Sequence, residues 1–149
     1  MIRKVEMRDV SDITRLAGVL GYPISESIVK NNMSRILNDE KQEFLVFDNG
    51  NQVVGFIEAE TYDTVYSKEI MFNVLGLVVD DQEQGQGQGQ GQGIGAQLLS
   101  ALEENAKARG INVIRLNSGV QRHEAHQFYE HQGYTSNHSQ KRFLKVLEK

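Results

Sequence analysis

Between residues 84 and 93 the chain reads Gln-Gly five times over, and this repeat lies directly between two segments of strong but different patterning. Before it, Ile70 to Val79 is apolar apart from Asn73 and Gly76, which predicts a buried central strand. After it, Leu98, Leu99, Leu102 and Ala106 recur at helical spacing, with Lys107 and Arg109 in the last turn and Gly110 as the stop. A glycine-rich linker ordinarily divides domains. Here it joins neighbouring elements of one core, and 149 residues fall within the size of a single domain, read as spanning 1–149. A strand, a glycine loop and a helix in that order aim free backbone N–H groups and a positive helix end at an anion.

Two familiar phosphate loops are excluded by counting. A Walker A loop requires Gly-Lys-Ser/Thr, whereas the chain has Gly93-Ile94-Gly95-Ala96. The dinucleotide fingerprint requires glycines at i, i+2 and i+5, and every glycine from 85 to 95 stands at an odd position. Only Gly91-x-Gly93 with Ala96 approaches it. The acidic residue due about 20 residues later is missing, since Ile114-Arg115-Leu116 stands there.

The rest of the chain supplies a mixed fold. Ile2, Val5 and Met7 mark a first strand, and Ile13, Leu16, Ala17 and Leu20 a helix that Asp9 or Ser11 starts and Gly21 ends. Beyond Pro23, the only proline, Ile28, Val29, Met33, Ile36 and Leu37 mark a second helix. Asn49-Gly50 between two apolar runs predicts a hairpin of strands near 43–48 and 52–61. Residues 62–69 read as a polar loop, 111–117 as a strand, and Ala125, Phe128 and Tyr129 as a short helix ended by Gly133. Phe143, Leu144, Val146 and Leu147 predict a final strand. The order β-α-α-β-β-β-α-β-α-β describes an α/β (α+β) fold, a mixed and mostly antiparallel sheet flanked by helices.

Composition narrows the function. Acids outnumber bases by 20 to 16, which argues against a broad basic surface for nucleic acid. With no cysteine there is no thiolate nucleophile, zinc finger or iron–sulfur cluster, and no metal is expected. No apolar run approaches the ~20 residues of a membrane span. The opening MIRKVEMRDV lacks the apolar core of a signal peptide, so a cytoplasmic location is expected.

The run LGLVVDDQEQGQGQGQGQGIGAQLL resembles the acyl-CoA-binding signature of the GNAT N-acetyltransferase superfamily, a strand followed by Arg/Gln-x-x-Gly-x-Gly/Ala and a helix. Arg122 to Tyr129, closing at Gly133-Tyr134, resembles the superfamily's second signature, with Arg122 where asparagine is common. A typical member has about two Xaa-Gly pairs before the Ile-Gly step; five stand here. Counted from the strand, Gln84 opens the motif; counted back from the helix, Gln90 does. The helix register is preferred because the phosphate donors belong to the helix N-terminus.

The resemblance implies direct transfer of an acetyl group from acetyl-CoA to a primary amine of a small molecule or peptide. It implies a cofactor site of Gln90, Gly91, Gln92, Gly93, Ile94, Gly95 and Ala96 for the pyrophosphate, with Arg122 beside it. The backbone of Leu77, Val78 and Val79 would pair with the pantetheine arm as an added strand. Tyr129 matches the tyrosine that protonates the departing thiolate, and His126 shares its helix face. The family's carboxylate base falls near Met71, which cannot act, leaving Glu58, Glu60, Glu69, Asn73 or a water. Tyr62, Tyr66, Asp63 and Glu69 would border the acceptor cleft and suit a cationic amine. A non-catalytic acyl-CoA-binding or regulatory module is the alternative. A homodimer is also compatible with this reading, and the Gln-Gly array offers a self-association element.

Overall fold

The Asn49–Gly50 turn shows how closely local chemistry sets the sheet. Asp48 accepts the Gly50 amide at 2.8 Å, and the Asn49 side chain accepts the amides of Asn51 and Gln52, each at 2.9 Å. Gly50 has φ +98°, a conformation that side chains resist. Strands β2 (Gln42–Asp48) and β3 (Val53–Tyr62) leave this turn antiparallel, with Phe44 opposite Glu58 and Val46 opposite Phe56.

The computed structural model describes residues 1–83 and 93–148. Its chain divides into two compact units, Met1–Asn117 and Ser118–Lys149. The first contains β1 (Ile2–Lys4), α1 (Val10–Leu20), α2 (Glu26–Ile36), β2, β3, β4 (Met71–Val79), α3 (Ile94–Ala108) and β5 (Ile114–Leu116). The five strands lie in sequence order, antiparallel except for the parallel pair β4 and β5.

Helices cover both sheet faces. On one, Ile13 and Leu16 of α1 and Val29 and Met33 of α2 form a core with Phe44, Val46, Phe56 and Val78. Residues alternate across a strand, so Glu43 faces the other side. There it meets Arg109 at 3.9 Å and Asn105 at 3.4 Å, beside α3, whose Leu98, Leu99 and Leu102 are almost wholly buried. Gly21 ends α1 at φ +109°, as its position predicts. Asp9 stands at the head of α1 but does not cap it. Its carboxylate instead takes two hydrogen bonds from Arg3, each 2.9 Å, and one from the Glu6 amide at 2.8 Å.

Several strand expectations are corrected. β1 stops at Lys4, and Met7 enters a short 3-10 turn. β4 is paired on both sides but is the fourth of the five strands, with β3 at the centre, and it is not buried throughout, because Leu75 bulges out and is 46 % exposed. β5 has only three residues, and Ile111 is buried just after α3, donating its amide to Ala106.

The second unit contains α4 (His123–His131) and, among its described residues, no strand. The expected final strand is therefore absent. Phe143, Leu144, Val146 and Leu147 are largely exposed. A strand requires a ladder partner for its backbone groups, and an apolar composition alone supplies none.

Candidate functional site

Strand β4, next to the edge strand β5, is unevenly covered. β5 pairs with it only at Phe72, Asn73 and Val74. Beyond that, its described partner is β3 alone, through Val79 opposite Gly55. The Asp80 amide donates to the Val54 carbonyl at 2.8 Å. In an antiparallel ladder the main-chain groups of alternate residues turn the same way, so Val78 and Gly76 also address β3. Those of Leu77 and Val79 therefore point to the opposite edge. The Val78 side chain is buried in the core under α1 and α2.

The start of α3 is open in a different sense. Gly93 is its N-cap in an extended conformation and offers no side-chain acceptor. The first helical bond runs from the Gln97 amide to the Gly93 carbonyl at 3.0 Å. The helix itself thus supplies no acceptor for the amides of Ile94, Gly95 and Ala96. Gln90, Gly91 and Gln92 lie outside the described residues.

On the sheet face under α1 and α2, the register lines up Gln42, Glu60, Asn73 and Arg115 across four strands. Asn73 donates to Glu60 at 3.1 Å and accepts from Arg115 at 3.4 Å. The Arg115 guanidinium also rests 4.2 Å from the centre of the Tyr62 ring, within reach of a cation–π attraction. Gln42 Oε1 is buried without a hydrogen-bond partner among the described residues.

One row further along, Glu58 stands between Phe44 and Gly76. The register slips just beyond it, so that Ala59 faces Val74 and Leu75 is the extra residue of a β-bulge. Burial pushes the Glu58 carboxyl above its ordinary value, and the like charge of Glu60 adds to the effect. A carboxylate so placed can take a proton closer to neutral pH than a solvated one. Of the other candidate bases, Glu69 is exposed in the connection before β4, while Glu60 and Asn73 are bonded to each other. The row ending in Arg115 was not apparent from sequence, where a single arginine in an apolar strand was its only trace.

The second unit places the later motif on α4. Arg122 is its exposed N-cap residue. His126 Nε2 lies 2.8 Å from the Gly119 carbonyl and donates to it, which anchors the preceding turn. Tyr129 is half-buried, its ring 5.3 Å from that of Phe128 and 6.1 Å from that of Tyr134. Burial raises the Tyr129 phenol above its ordinary value, against the opposing pull of Arg122.

Among the described residues no His, Cys, Asp or Glu group is placed to hold a metal. None of the described helices is long and apolar enough to cross a membrane.

Comparison with known proteins adds three relatives. A family model described as an acetyltransferase (GNAT) domain matches residues 22–146. Over 54 residues the chain is 41 % identical to aminoalkylphosphonate N-acetyltransferase of Salmonella typhimurium, covering 36 % of this chain and 34 % of that one. The match therefore spans about a third of that relative's length. A Bacillus halodurans protein described as a transcriptional regulator superposes with TM-score 0.83 at 25 % identity, over 97 % of this chain and 99 % of its own. A GNAT family acetyltransferase of Staphylococcus aureus gives TM-score 0.78 at 24 % identity, over 99 % and 98 % of the two chains.

Proposed function

The chain belongs to the GNAT acetyltransferase family, and from that premise we propose that it is an N-acetyltransferase moving an acetyl group from acetyl-CoA to a primary amine. The acceptor is an amine of a small molecule or a peptide. The observation that carries this reading is the one-sided edge of β4 leading toward an uncapped helix start. The outward main chain of Leu77 suits an extended amide-bearing arm, and the amides of Ile94, Gly95 and Ala96 suit a diphosphate. Gln90, Gly91, Gln92 and Gly93 complete that cradle in this reading, with Arg122 as a further cofactor contact.

The transfer needs no covalent enzyme intermediate. The amine nitrogen forms a bond to the acetyl carbonyl carbon, the C–S bond breaks, and the CoA thiolate leaves. Tyr129 supplies the thiolate's proton. The acceptor ammonium loses one proton before attack and the attacking nitrogen a second as the amide forms, so one proton is released net. The name of the Salmonella relative makes aminoalkylphosphonates sensible first acceptors to try.

Calorimetric titration with CoA, together with thiol release from acetyl-CoA over a panel of aminoalkylphosphonates, polyamines, aminoglycosides and peptide amines, tests the assignment. CoA binding with turnover of at least one amine is the expected result. Tight CoA binding with no turnover on any of them would favour a non-catalytic acyl-CoA-binding module. No CoA binding at all would remove both readings.

A further inference from the structure

We propose that Glu58 of β3 receives the ammonium of the acceptor and removes its proton, making it the general base of the transfer. This rests on the N-acetyltransferase reading above and extends it to a residue that the sequence left undecided among four side chains and a water. Three observations converge on it.

The first is position. Glu58 is the cross-strand partner of Gly76, the residue immediately before Leu77, whose main chain faces the open edge of β4. Direct cross-strand partners lie roughly 5 Å apart. A thioester carried along that edge would end near the bulge at Leu75, and Glu58 flanks the same bulge.

The second is that, among the described residues, Glu58 has no hydrogen-bond or ion-pair partner, whereas Glu60 and Asn73 are bonded to each other. Glu60 accepts the Asn73 amide, and Asn73 in turn accepts from Arg115. Glu69 is exposed. Among the described residues Glu58 forms no ion pair.

The third is its surroundings. β2 presents Gln42 and Phe44 on this face, and β4 presents Asn73 and Gly76. β5 presents Arg115, held by Asn73 and Tyr62. From α1, Leu20 reaches Gly76, while Asp12 and Arg15 are drawn to Val53 and Asp80 at the far end of the sheet. From α2, Val29 and Met33 are buried, Glu26 is bonded to Ser11, and Lys30 and Arg35 are exposed. Burial, and after it the like charge of Glu60, favours the protonated form of Glu58, so the carboxylate is held ready to take a proton. Its partial exposure lets that proton pass on to solvent.

The experiment is the pH dependence of kcat/KM for an amine that the wild-type protein acetylates, with CoA affinity measured alongside. Wild type is expected to lose activity toward acid with a midpoint above the ordinary carboxylate range. Glu58→Gln should lower kcat/KM by about 10²–10⁴ and abolish that limb while leaving the CoA Kd unchanged. Glu58→Asp should keep the limb at reduced rate, which separates lost chemistry from lost folding. Glu60→Gln should retain activity and move the limb to lower pH, because a like charge has gone. Glu58→Gln activity within threefold of wild type, with the limb intact, would overturn this assignment and leave the transferase reading standing. A wild-type protein that binds CoA but acetylates no amine would overturn the transferase reading and this one with it.

Discussion

Gly55 of β3 lies directly against Ile94, the first residue of α3. A Cβ built on Gly55 would stand 3.3 Å from Ile94 Cγ2 and 3.0 Å from the Val78 carbonyl oxygen. The sheet and the helix start therefore meet so closely that a methyl group at Gly55 would require its neighbours to give by a few tenths of an ångström. Gly55→Ala should cost about 1–3 kcal/mol of stability by overpacking. It should also raise the CoA Kd, because relief comes most readily by moving the first turn of α3. Urea unfolding and calorimetry read the two effects, and a variant matching wild type in both would show that the contact is soft.

Gly93 gives a sharper separation of stability from binding. Its extended backbone suits any residue, and serine is a better N-cap than glycine by a few tenths of a kcal/mol. Gly93→Ser should hold or slightly raise Tm while weakening CoA binding several-fold, since its hydroxyl competes for the same amides. Gly93→Val should weaken CoA binding by bulk alone. Unchanged CoA affinity in both variants would move the diphosphate away from the helix start.

Asp9 controls acid stability. Burial opposes its ionisation, yet hydrogen bonds from Arg3 and the Glu6 amide outweigh that and hold its carboxyl below its ordinary value of 3.8. A lowered folded-state value means the stabilisation is complete above the unfolded value and disappears as pH falls through the folded one. Asp9→Asn should cost about 1–3 kcal/mol at neutral pH, because Arg3, only 14 % exposed, loses its charged partner Asp9 and keeps Asp48 at 3.1 Å. Denaturant unfolding should show the difference from wild type narrowing below about pH 3.8. A difference that stays constant down to pH 2 would show that the ion pair is not its source.

Tyr129 should matter to turnover and not to cofactor binding. Tyr129→Phe removes the phenol proton and is expected to lower kcat by about 10²–10⁴ with the CoA Kd preserved. Because burial raises the phenol above its ordinary value of 10.0, wild-type activity dependent on the protonated form should persist to pH 10 and decline only above it. A Tyr129→Phe protein with wild-type kcat would assign the proton to another donor.

The parts of this fold that were readable in sequence are those set by local chemistry. Asn49-Gly50 specified its hairpin because both residues satisfy the turn's own backbone demands. Leu98, Leu99, Leu102 and Ala106 specified α3 because their spacing makes one buried face. Strand pairing is another matter. The row from Gln42 to Arg115 joins residues up to 73 positions apart, and the bulge at Leu75 depends on how β4 meets β3. Periodicity within one segment carries no information about such register. The same gap explains the C-terminal segment, where Phe143 to Leu147 has a strand's composition without a partner. Glu58 was visible as a candidate, but only its neighbours' hydrogen bonds separate it from Glu60 and Asn73.

The short reach of β5 along β4 leaves Leu77 with its main-chain amide turned toward an edge that no described strand covers. In heavy water that amide should exchange quickly in the unliganded protein, in contrast to its neighbour Val78, whose amide is locked into the ladder with β3. A thioester arm lying along the edge would reverse the contrast at one residue. That makes Leu77 a built-in isotope reporter of occupancy, independent of whether any acetyl group is ever transferred.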